Sequence, residues 1–192
     1  MVDTDSLIRG IALAFIAVTL GTLLWAGLWY FRQGREWNPR KRIYKISIYT
    51  VLALHGAAIL ILPEPPVWSQ LAGSAVLLVV LVLFWTAVAA HGDIRPKFAF
   101  DQPEAARIVT SGPYRWIRHP FYSSFMLAAL GGVLISGRPE LLLTIPWLAC
   151  FYVRAAKEEE IFLLESPLGR QYQDYYRRTG RFFPRVSGRI AD

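Results

Sequence analysis

Charge is scarce in this sequence. Asp, Glu, Lys and Arg make up 18% of its 192 residues, against about 25% in a typical soluble domain, while hydrophobic residues reach 54%. A soluble chain of this length could not hide so much apolar surface, which excludes an ordinary globular enzyme. Cysteine is nearly absent. The single Cys150 sits in an apolar run, which excludes a disulfide framework and a thiolate metal site. The three histidines, His55, His91 and His119, lie too far apart for a local zinc motif, and no metal is expected. Familiar catalytic signatures are also missing. There is no GxGxxG, no Walker lysine loop and no HExxH, and no GxSxG nucleophile elbow.

What is present is a series of long uncharged runs. Residues 10–31, 46–63, 65–92 and 119–137 carry no Asp, Glu, Lys or Arg, and a shorter run covers 141–153. A helix needs roughly 20 residues to cross the hydrocarbon core. The expectation is an all-α integral membrane protein, a single domain over 1–192. Its five transmembrane helices fall near 10–31, 45–62, 67–90, 120–136 and 139–156, followed by a cytoplasmic tail over 157–192. The fifth run is short and must draw on flanking residues. The leader MVDTDSLIR leans acidic, unlike a cleaved signal peptide.

The net charge of +7 could suggest nucleic acid, but the basic residues sit between the apolar runs. The first loop holds Arg32, Arg35, Arg40, Lys41, Arg42 and Lys45 against Glu36 alone. The other Lys/Arg-rich segments are the third loop, 91–120, and the tail. Five spans put these three segments on one side, which is then cytoplasmic. The N-terminus faces outward, and no nucleic-acid partner is expected. The short outer turns are Pro-Glu-Pro-Pro at 63–66 and Ser-Gly-Arg-Pro-Glu at 136–140. Span three carries Gly73, Ser74, Ala75, Ala87, Ala89 and Ala90, small residues suited to close helix contact in lipid.

Polar residues gather on the inner side. Gly112-Pro113-Tyr114-Arg115-Trp116-Ile117-Arg118-His119-Pro120-Phe121-Tyr122 places His119 at a helix start, since Pro120 suits the first helical position. The orphan N–H groups there suit an anion; interfacial anchoring by Tyr, Trp and Arg explains the same residues equally simply. Arg154-Ala155-Ala156-Lys157-Glu158-Glu159-Glu160 continues span five without a breaker. Arg154 and Glu158 share a face, and the three carboxylates need basic partners, a cationic ligand or water. Ser166-Pro167-Leu168-Gly169 breaks that helix, and 170–180, with Tyr172, Tyr175 and Tyr176, forms a short amphipathic helix against the membrane or the bundle. A basic, aromatic inner pocket with carboxylates opposite suits a zwitterionic or cationic small molecule beside an apolar substrate.

The string Gly112-Pro113-Tyr114-Arg115-x-x-Arg118-His119-Pro120-x-Tyr122, followed by Arg154-x-x-x-Glu158-Glu159, Gly169-x-x-Tyr172-x-x-Tyr175 and Thr179-Gly180-Arg181-Phe182-Phe183-Pro184, resembles the isoprenylcysteine carboxyl methyltransferase family, within the wider membrane phospholipid methyltransferases. The likeness covers roughly 67–186. It implies a membrane methyltransferase that uses S-adenosyl-L-methionine, releases S-adenosyl-L-homocysteine, and acts on a lipophilic acceptor such as an isoprenylcysteine-like carboxylate. It implies cofactor binding by Gly112, Pro113, Tyr114, Arg118, His119, Tyr122 and Glu159, and catalytic roles for Arg154, Glu158 and Glu159. The further expectations are a bacterial or archaeal cytoplasmic membrane, contact with membrane lipids, and a monomeric catalytic unit, because the two polar inner segments can meet within one chain. The stretch Lys97–Pro103 departs from the family pattern, and Ser166-Pro167-Leu168 is a longer link. The competing expectations are a membrane NADPH-dependent lipid reductase of related helical design, and a small transporter or membrane-assembly subunit.

Overall fold

The structure is a computed structural model that describes residues 3–32, 39–61, 63–97, 99 and 107–185. Every regular element among the described residues is helical. Helix α1 (Thr4–Trp25) starts where the Asp3 carboxylate accepts the Ser6 N–H at 2.6 Å, an N-cap. It runs on as a π-helical segment, Ala26–Tyr30. Helices α2 (Pro39–Ile61) and α3 (Val67–His91) follow, separated by the proline turn at 63–66. A 3-10 turn (Gly112–Arg115) leads to α4 (Pro120–Ser136). A second 3-10 turn (Pro139–Leu143) opens α5 (Thr144–Glu165), and α6 (Gly169–Arg178) ends the helical chain.

The helical segment from Thr4 to Tyr30, α2 and α3 are each long and apolar enough to cross a bilayer, and α4 is apolar but shorter. The protein is a membrane protein on this composition. The run expected over 139–156 begins with a 3-10 turn, because Pro139 starts it, and its helix continues past 156 to Glu165. Charge alone does not end a helix; the Ser166-Pro167 pair does, since the residue before proline is driven out of the α region. Of the departing stretch Lys97–Pro103, only Lys97 and Ala99 lie within the described residues.

Helices α3 and α4 form the tightest pair. A Cβ on Gly73 would lie 2.4 Å from Ile135 Cγ1 and 2.9 Å from the Gly131 carbonyl oxygen, and one on Gly131 would meet Leu77 at 2.5 Å. Two glycines facing each other bring the backbones together, the close approach that drives association in lipid. Ser69 Oγ donates to Leu134 O at 2.5 Å across the same seam. Helix α1 packs on α3, and α2 packs on α4 and α5.

The packed interior is aromatic towards one end and aliphatic towards the other. Tyr30, Phe31, Phe84, Tyr114 and Phe121 form one cluster, and Tyr44, Tyr122 and Tyr152 another with Ala155 and Ala156. Ala12, Ile59, Leu77 and Ile135 close the opposite end. The aromatic end is where the polar loop and α6 dock.

Candidate active site

The site begins with a turn. Gly112 has φ +58°, and a Cβ there would press on Ala90 at 3.3 Å, so glycine suits both the left-handed backbone and the contact. The turn aims Tyr114 inward, where its hydroxyl meets His91 Nε2 at 2.9 Å. The chain then runs alongside the C-terminal segment. Arg118 N donates to Gly180 O (2.8 Å), His119 N to Arg181 O (3.0 Å) and Gly180 N to Trp116 O (3.0 Å). Tyr175 on α6 adds a hydroxyl donation to Tyr114 O at 2.9 Å. Residues some 60 positions apart are thus stitched into one unit.

Into this unit α5 projects two carboxylates. Glu160 is 3% exposed. It accepts from Arg118 Nε at 2.8 Å and from Arg181 Nη2 at 2.5 Å, and meets His119 Nε2 at 3.2 Å. Glu159 faces the other nitrogen of the same ring, with Oε2 3.4 Å from His119 Nδ1, and accepts the Tyr122 hydroxyl proton. Arg118 also donates to the carbonyls of Tyr176 and Thr179 and lies 4.0 Å over the Tyr176 ring, a cation–π contact. Arg118, His119, Glu160 and Arg181 thus form an ion cluster paired and hydrogen-bonded within itself, as a buried charge requires.

The electrostatics follow from these contacts. Burial works against a charged His119, yet hydrogen bonds and charge from Glu159 and Glu160 overcome it and raise its pKa. Burial likewise opposes Glu160 ionisation, but His119, Arg181 and Arg118 hold its pKa down at about 2. The Tyr172 and Tyr175 hydroxyls are pushed up by burial and stay neutral.

A cleft of ≈ 200 Å³ opens beside this network. Tyr114, Arg118, His119, Tyr122 and Glu159 line it, so five of the residues singled out in the sequence come together. Gly112 and Pro113 form the turn behind Tyr114. Arg154 and Glu158 are not brought to the cleft. Both sit on the exposed face of α5, where Glu158 pairs with Arg40 at 2.6 Å. The sequence reading missed Glu160, and also Arg181, Tyr172 and Tyr175 as site-building groups. The missed signal was helical phase: Tyr152, Ala155, Ala156 and Glu160 share the buried side of α5, opposite Arg154 and Glu158.

Residues 68–166 match the family model of phospholipid methyltransferases. The chain belongs to that family. The match runs from the first turn of α3 to the end of α5, so it holds the loop and both facing glutamates of this phospholipid methyltransferase family member. Helix α6 and Arg181 lie beyond it. The chain is also 30% identical, over 112 residues, to the cobalt-zinc-cadmium resistance protein CzcN of Cupriavidus metallidurans, covering 58% of this chain and 51% of that protein. It is 30% identical over 122 residues to the nickel-cobalt-cadmium resistance protein NccN of Alcaligenes xylosoxydans xylosoxydans, covering 62% and 55%. The chain spans about half the length of these curated relatives.

Proposed function

We propose that this protein is an S-adenosyl-L-methionine-dependent membrane methyltransferase acting on a lipophilic acceptor at the cytoplasmic face. The observation that carries the reading is a shared wall. The polar cleft and a second, apolar groove are both lined by Tyr44 and Phe125. The groove, also ≈ 200 Å³, is walled chiefly by α1 and α2, with α4 and α5 behind. A water-borne donor and a membrane-borne acceptor can therefore meet at one place.

The residues of the polar cleft fit the cofactor's chemistry. Arg95, Lys97 and Arg107 supply cationic groups, Phe31, Tyr114, Tyr172 and Tyr175 supply aromatic surface, and Glu159 supplies a carboxylate. That donor set suits a molecule carrying a carboxylate, an ammonium and a purine. His91 Nδ1, buried without a hydrogen-bond partner, lies on the same wall and offers one more polar contact. When bound, S-adenosyl-L-methionine supplies an electrophilic methyl group and is released as S-adenosyl-L-homocysteine.

The chain's own task is positioning, which can lower such a barrier by about 7–11 kcal/mol at best. Tyr122 and His119 fix the two oxygens of Glu159, and Glu160 fixes His119 through Nε2. Glu159 would hold the cationic end of the donor, or take a proton at its carboxylate from an amine or thiol nucleophile. A carboxylate acceptor is already ionised at neutral pH and needs no base. Arg154 and Glu158, on the outward face of α5, would meet the headgroup region. Family membership favours methyl transfer over the nicotinamide-dependent reductase. The spans number five, with the N-terminus outside and the C-terminus in the cytoplasm.

The test is binding of S-adenosyl-L-homocysteine to purified protein, with His119→Ala and Glu159→Ala compared. Saturable binding that weakens at least tenfold in each variant is expected. Equal binding by all three overturns the site. Transfer of labelled methyl groups into membrane lipid extracts then identifies the acceptor.

A further inference from the structure

The apolar groove contains two polar atoms that the methyl-transfer chemistry does not use. Thr19 on α1 is 3% exposed, and its Oγ1 is buried with no hydrogen-bond partner. His55 on α2 is 7% exposed. Its Nε2 lies 3.0 Å from Thr144 Oγ1. Thr144 gives its one hydroxyl proton to Leu141 O at 2.6 Å, so it accepts from His55 Nε2–H. In the neutral ring this leaves Nδ1 as a bare acceptor. That atom faces Gly132, where a Cβ would come within 2.4 Å of it. Thr19, His55 and Gly132 all line the groove.

The two groups sit at matching depth. His55 lies 11 residues beyond Tyr44 on α2, and Thr19 lies 11 residues before Tyr30 on the antiparallel α1. The interval on α2 corresponds to about 16 Å of helical rise, and the one on α1, which ends in the π-helical segment, to slightly less. Gly132, ten residues beyond Tyr122 on α4, agrees. A hydrocarbon chain filling the groove would leave both atoms unpaired in an apolar medium, which is costly. A chain carrying a hydroxyl at that depth would donate to His55 Nδ1 and accept from Thr19.

We propose that the groove selects a lipophilic acceptor bearing a mid-chain hydrogen-bond donor, read by His55 and Thr19 some way from the reacting end. This rests on the groove being the acceptor site, and it adds a specificity element to it. His55 and Thr19 are specificity residues that never touch the reacting atoms.

The probes are stearate and 12-hydroxystearate, each competing for labelled stearate on the full chain in detergent. The hydroxylated acid should displace the label at about tenfold lower concentration from the wild type. That preference should fall to about onefold in Thr19→Val and in His55→Phe, with stearate affinity kept. Thr19→Val is isosteric and removes an unpartnered hydroxyl, so it keeps the comparison valid if His55→Phe folds poorly. Equal affinity in the wild type overturns the proposal and means that only a trapped water serves these atoms. Persistence of the preference in Thr19→Val, or failure of both acids to compete, overturns it as well. Preference without methyl transfer would sink the catalytic reading alone, and methyl transfer without preference would sink this proposal alone.

Discussion

Glu160 and Glu158 are two residues apart and have opposite fates. Glu160 holds Arg118, Arg181 and His119 in a buried site, so Glu160→Gln leaves two guanidinium groups without their counter-charge. Breaking a buried ion cluster in this way costs about 3–5 kcal/mol, and melting in detergent should fall on the order of 10 °C for a chain of this size. Glu158→Gln removes only an exposed pair with Arg40, worth about 1 kcal/mol or less, and should shift melting by a few degrees at most. Equal losses would remove Glu160 from the centre of the site. The same contacts set a pH profile. The raised pKa of His119 means that its stabilisation is full below its ordinary 6.5 and is lost as pH rises through the folded value. Glu160 contributes fully above its ordinary 4.5, and that contribution is lost as pH falls towards about 2. Melting temperature against pH should therefore be highest between those limits. His119→Gln should flatten the alkaline slope and keep the acid slope dependent on Glu160; an unchanged alkaline slope would assign that limb to another group.

At the scale of elements, the α3–α4 seam makes a sharp contrast among glycines. Gly73→Ala forces a Cβ against Ile135 and the Gly131 carbonyl. Overpacking of this kind costs about 1–3 kcal/mol, whereas Gly10→Ala meets nothing within 4 Å and gains helix propensity. Melting should fall for the first and hold or rise for the second; the reverse order would mean that the two helices are not in contact through Gly73. Much of this arrangement was legible in the sequence. The uncharged runs located α3 and α4 almost to the residue, because desolvating a charge in lipid is costly enough to mark a span. The Gly112–Tyr122 string marked residues that the structure gathers at one cleft. In the other half of the site Glu159 lines the cleft while Arg154 and Glu158 face outward, because a run of three glutamates gives no phase by itself, and the phase came from Tyr152, Ala155 and Ala156 packing inward. The end of α5 was hidden for a related reason, since its charged last turns lie past the apolar run and only Ser166-Pro167 stops them. The pairing of the loop with Gly180 and Arg181 is a long-range event that local pattern does not encode.

For the molecule as a whole, the two ends have distinct compositions. Arg9 pairs with Glu64 at 3.6 Å and donates to Ile59 O, and Gly137 sits against Pro65, so the N-terminal leader and both short turns share one end. Arg118, Glu160 and Arg181 gather with α6 at the other. Arg40, Arg107 and Arg118, described residues of the Lys/Arg-rich segments, lie at that second end, and because positive charge is generally retained in the cytoplasm the proposed orientation makes it the cytoplasmic one. This converts into a labelling experiment with a membrane-impermeant maleimide on intact cells. After Cys150→Ser, single cysteines at Glu64 and Arg138 should react from outside, while those at Arg107 and Arg170 should react only after lysis. Full inversion of that pattern would reverse the orientation and leave the site intact, because the site needs only that its loop, α5 and α6 share a face. Reaction of Arg107→Cys and Arg170→Cys from opposite faces would be fatal, since the Tyr175–Tyr114 and Arg118–Glu160 contacts would then have to cross the bilayer, and a cleft reached from water on one side could not share Tyr44 and Phe125 with a groove reached from lipid.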